Sequence, residues 1–142
     1  MIRTLRRAAL VLSLSVLATS PAYAGDLAID LSGIRVAEGH LMVSLVDSAA
    51  GWDDQAPPRQ ATRVAAVEGT TRVVFENVSP GTYGVMVLHD ENDNGKLDTN
   101  IVGMPIEGYG FSNNPRVMRK PTWAEARFEL AADGATIAIA LR

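Results

Sequence analysis

The stretch HDENDNGKLD, residues 89–98, places acidic and amide side chains at alternate positions around a single glycine. Calcium takes six to eight oxygen ligands, and an acidic loop supplies them from positions 1, 3 and 5, a backbone carbonyl at 7 and a further group at 9, with glycine at 6 for the bend. Counted from Asp90, the matching groups are Asp90, Asn92, Asn94, the bend at Gly95, the carbonyl of Lys96, and Asp98. Position 12 is Ile101, where the helix-loop-helix version carries a bidentate glutamate, and the run before the loop reads as a strand. An EF-hand is therefore excluded, while a weak calcium site is not. Two anionic ligands imply a Kd of about 10⁻⁴ to 10⁻³ M. A third carboxylate from Glu107, Asp53 or Asp54 would complete the shell. The competing reading is a turn satisfied by its own side chains, since Asx residues bond nearby backbone and Asn94-Gly95 is a strong turn pair.

The same region can be drawn as an acid/base set of His89, Asp90 and Glu107. No nucleophile, oxyanion motif or second metal-spaced histidine accompanies it, and His40 begins a separate strand. A hydrolase-like enzyme is thus the alternative function, and a purely structural domain without metal is a third. Beyond the loop, Tyr109, Phe111, Ser112, Asn113 and Asn114 offer an aromatic and polar surface suited to a glycan, a peptide or another envelope protein. Packing of Tyr109 and Phe111 onto the strand bearing Met86 and Leu88 accounts for the two rings without any ligand.

These residues must be positioned by strands. Past residue 24 the dominant hydrophobic period is two, and runs rich in Val, Ile, Thr and aromatics alternate with Gly, Pro and Asn. Candidate strands are 27–35, 40–46, 63–67, 71–76, 82–89, 124–130 and 136–141, with turns at Glu68-Gly69, Pro80-Gly81 and Asp133-Gly134. About seven short strands imply an all-β fold: a single antiparallel β-sandwich of immunoglobulin-like or transthyretin-like type. The strand at 82–89 is apolar on both faces, so something must cover its outer face. The cover expected is the long segment from Asp90 to Pro121, ordered as a lid by Ile101, Val102, Met104, Ile106, Tyr109, Phe111 and Trp123.

Compartment and charge narrow the partners. Arg3, Arg6 and Arg7 precede an apolar stretch and Ala22-Tyr23-Ala24, so residues 1–24 read as a signal peptide and 25–142 as the domain, periplasmic or secreted. Losing those three arginines, with no acid among residues 1–24, lowers the formal charge from −3 to −6. An acidic chain without a basic run does not suit nucleic acid or anionic lipid as main partner. No later stretch is long enough to span a membrane, and the absence of cysteine excludes disulfides and thiolate chemistry.

The run GTYGVMVLHDENDNGKLDTNIVGMPIEGYGFSNN, followed by Pro121 and Trp123, resembles the centre of the bacterial exported family catalogued as domain of unknown function 2141. His89, Asp90, Asn92, Asn94, Gly95, Lys96 and Asp98 carry the first half of the likeness. Gly103, Pro105, Glu107, Gly108, Gly110, Phe111, Ser112, Asn113 and Asn114 carry the second. The resemblance implies an exported β-sandwich and no particular activity. The run from Phe75 to Tyr83 ahead of an Asp/Asn/Gly loop is also similar, more loosely, to carboxypeptidase-regulatory and collagen-adhesin B-type sandwiches, which implies a binding or structural module.

Overall fold

The computed structural model describes residues 24–142, so the signal-peptide reading lies outside the described residues. Among the described residues, eight strands and two single-turn helices make a mostly β fold in two sheets. One sheet has the order β4 (Gly69–Val78), β1 (Gly25–Ile34), β8 (Ala135–Ala140). The other runs β3 (Gln60–Ala65), β2 (His40–Val46), β5 (Gly81–Asp90), β6 (Tyr109–Phe111), with β7 (Phe128–Leu130) paired to the first residues of β5. The period-two alternation sends Leu27, Ile29 and Leu31 of β1 and Leu41, Val43 and Leu45 of β2 inward, where they join Val85 and Val87 of β5 and Ile139 of β8 in one apolar core.

Three expectations change. The strands are not all antiparallel, because β8 runs parallel to β1: the turn after β7 carries the chain from one sheet to the other. The segment 124–130 is not one strand. Thr122 and Glu125 form a capping box that starts α2 (Trp123–Ala126), and only Phe128–Leu130 is extended. Glu125 accepts the Thr122 N–H at 2.7 Å and a two-pronged bond from Arg119, and that guanidinium above all holds its carboxyl down at about 2. The third strand begins earlier, at Gln60, and β6 lies inside the segment expected to be loop. Among the described residues no helix is long and apolar enough to cross a membrane.

The outer face of β5 is covered in two different ways. Toward its start, α1 (Ala49–Trp52) and α2 bring Trp52 and Trp123 together at 6.0 Å, and the Trp52 indole N–H donates to the Pro121 carbonyl at 2.7 Å. Gly84 makes room for both rings: a Cβ there would stand 2.8 Å from Trp123 and 2.9 Å from Trp52. Farther along, Met86 and Leu88 face a groove instead of a packed layer. Gly84→Ala is expected to cost about 1–3 kcal/mol by overpacking, measured as a lower urea midpoint at unchanged slope. An unchanged midpoint would mean that the indoles do not close on the strand.

Candidate functional site

β5 delivers Asp90 to the rim of the second sheet, where the turn at Gly39 presses against its backbone; a Cβ on Gly39 would overlap the Asp90 carbonyl. The Asp90 side chain is 1% exposed, and its two oxygens accept the N–H groups of Asn94 and Gly95, both at 2.9 Å. Glu107, 4% exposed, closes the neck of the same loop by accepting Glu91 N–H at 2.9 Å and Asp98 N–H at 2.8 Å. Two buried carboxylates thus satisfy four backbone donors that no strand ladder serves.

The remaining side chains of the loop turn inward on one another. Asn92 and Asn94 accept the N–H groups two residues on, at 3.1 and 3.0 Å, in successive Asx turns. Their NH₂ groups both donate to one oxygen of Asp98, at 2.6 and 2.9 Å. Asp90, Asn92, Asn94 and Asp98 are therefore brought together as their spacing implied, with the Lys96 backbone beside them. Among the described residues no three His, Cys, Asp or Glu side chains form a metal-ligating group, so a cation here would depend on amide and carbonyl oxygens. That donor chemistry is hard and all-oxygen, which suits calcium. Asp53 and Asp54 belong to the α1 corner, and Asp54 faces Lys120 at 3.4 Å.

Asp93 is a residue that ligand spacing overlooks. It sits at φ 60° and points out of the loop to His40 Nδ1 and Arg63, each at 2.6 Å. The His40 hydrogen bond, with Arg63 beside it, holds the Asp93 carboxyl below the ordinary aspartate range. The loop tip is thereby tied to β2 and β3.

The lid differs from expectation in how it is ordered. The Asn100 side chain accepts the N–H groups of Val102 and Met104, both at 3.0 Å, and Thr99 bridges to Pro105. This tight turn lifts Ile101 and Val102 to the apex, so they and Ile106 are exposed instead of packed down. Polar contacts, not apolar burial, hold this tongue from Asp98 to Ile106.

His89 is fully buried, with Nε2 2.8 Å from the Glu38 carbonyl and Nδ1 3.7 Å from Glu91. It adjoins Asp90 in the chain and its backbone N–H donates to the Gly108 carbonyl next to Glu107, yet both carboxylates are spent on backbone. The aromatic surface divides as well. Tyr109 and Phe111 line the groove, with ring centroids 5.8 Å apart. Ser112 is buried, accepting Val85 N–H at 2.9 Å and donating to the Ala126 carbonyl at 2.6 Å. Asn113 holds the Glu125 and Arg127 carbonyls, and Asn114 clasps β8 through Ala138 and Ala140. These three fasten the chain behind β6.

The groove itself, about 540 Å³, was missed by motif reading. Met42, Met86, Met104 and Met118 line it, and Met1 is the only other methionine in the chain. A signal existed: Met42 and Met86 occupy outward-facing strand positions where polar residues are usual.

Compared with known families, residues 29–138 match one described as "Uncharacterized protein conserved in bacteria (DUF2141)". The chain belongs to this family. No curated protein and no solved structure matches it. The matched span contains the acidic loop and most of both sheets.

Glu107→Gln keeps one acceptor and sets an NH₂ group against a backbone N–H. It is expected to cost about 2–3 kcal/mol in urea unfolding, with Asp93→Asn, on the exposed side of the loop, costing clearly less. Equal losses from both would contradict the division between buried clamp and surface tie.

Proposed function

We propose that the chain is an exported, periplasmic or secreted β-sandwich of immunoglobulin-like or transthyretin-like type that acts as a binding or accessory module, with calcium bound in the Asp90–Asp98 loop. The observation that carries the binding role is the methionine-lined groove, whose size falls in the range of small-molecule sites. The tongue that follows the acidic loop forms one of its walls through Met104 and Pro105. Whatever steadies the loop therefore steadies the groove.

Support for calcium is the convergence of Asp90, Asn92, Asn94 and Asp98 at alternate positions, with the Lys96 carbonyl available. The ion must compete with the two amide groups that now satisfy Asp98, which agrees with a weak Kd near the extracellular range. The same self-closure favours the alternative of a loop that needs no metal, so one measurement separates the two. Thermal unfolding in about 1 mM calcium against chelator should show a gain of roughly 1.4 kcal/mol if Kd is about 0.1 mM, or several degrees in Tm. Asp98→Ala should abolish the gain. No shift in either protein would leave the loop as a metal-free clamp.

A further inference from the structure

Resting on the binding-module reading, we infer that the groove takes a single-chain amphiphile with an anionic head, its apolar chain on the methionines and its head between Arg35 and Arg142. The groove adjoins a second hollow of about 230 Å³, with Met104, Pro105, Tyr109 and Met118 lining both. The second hollow adds Arg35 and Arg142. A largely apolar trough therefore has a basic hollow beside it.

The charges along this path differ in whether they are already met. At the groove end, Arg119 makes two bonds to Glu125 at 2.7 and 2.9 Å, and Lys120 reaches the Trp52 carbonyl and Asp54. At the other end, among the described residues, neither Arg35 nor Arg142 has a carboxylate within ion-pair reach. Arg35 touches only the Ile106 carbonyl at 3.4 Å. Arg142 touches the Pro115 carbonyl at 3.2 Å and lies over the Tyr109 ring at 5.2 Å. Glu107, which also lines this hollow, is buried and spends both oxygens on backbone N–H groups. The Arg142 backbone oxygen accepts the Tyr109 N–H at 3.2 Å. Two forked donors with unused N–H groups suit a carboxylate or a phosphate monoester equally.

The lining fits a flexible chain. Methionine is unbranched and polarizable, conforms to irregular shapes and asks for no hydrogen bond. Met42, Met86 and Leu88 form the floor, while Met118, 91% exposed, stands at the rim free to fold over an occupant. A peptide would need backbone partners, and β6 already takes the nearby edge of β5.

The test is titration calorimetry on protein produced from the full-length sequence, with laurate, dodecyl phosphate, dodecanol and dodecyltrimethylammonium. Expected are 1:1 binding of laurate or dodecyl phosphate, the comparison showing which head is preferred, and at least tenfold weaker binding of the trimethylammonium probe. Arg35→Ala with Arg142→Ala should weaken laurate at least tenfold and leave dodecanol unchanged, and Met86→Glu should abolish both. Equal binding of anionic, neutral and cationic heads would overturn the inference, as would no saturable binding to protein that melts normally. A stable dimer that takes up no laurate would overturn it in favour of a second copy over the groove. Laurate should still bind saturably in chelator, which separates this inference from the calcium reading.

Discussion

Asp90 and Glu107 are carboxylates with almost no exposed surface, and among the described residues neither meets a cation. Burying such groups is costly unless they are hydrogen-bonded, and a loop that leaves a strand has N–H groups with no ladder to join. Each problem answers the other. Asp90 organises the interior of the loop, Glu107 draws its two ends together, and the tongue from Asp98 to Ile106 leaves that closed neck in one direction. The wall of the groove is therefore set by two acids that never touch the groove's apolar floor.

The other half of the site comes from β5. Its inner face belongs to the core, while its outer face carries Gly84, Met86 and Leu88. The missing side chain at Gly84 lets Trp52 and Trp123 seal one end, and the methionine and leucine leave the other end apolar but uncovered. Ser112 fixes the relation between the halves by bridging the Val85 N–H and the Ala126 carbonyl across the back of β6. Clamp, strand and aromatic corner together hold an open apolar surface that a compact core would otherwise fill.

Much of the fold was legible from alternation, because inward positions such as Leu27, Ile29, Leu31, Leu41, Val43 and Leu45 are apolar and neighbours such as Asp30, Ser32 and Ser44 are polar. The loop was legible for a different reason: its spacing encodes which side chains converge, and Asp90, Asn92, Asn94 and Asp98 do. Glu107 was found as a nearby acid, but its part as a backbone clamp depends on where the tongue returns. The segment 124–130 misled because Ala124, Ala126, Phe128 and Leu130 alternate like a strand, while the capping pair Thr122 and Glu125 decided the first turn. The groove was hidden because four methionines far apart in sequence become neighbours only when strand order and tongue direction are known.

The most direct test of this account is amide hydrogen exchange at Glu91, Asn94, Gly95 and Asp98, the four donors to the buried carboxylates, recorded in chelator. All four are expected to exchange far more slowly than the apex amide of Ile101, and Glu107→Gln should release Glu91 and Asp98 first. Exchange at free-chain rates at all four positions, with the β5 ladder still protected, would contradict the claim that the two carboxylates hold the loop.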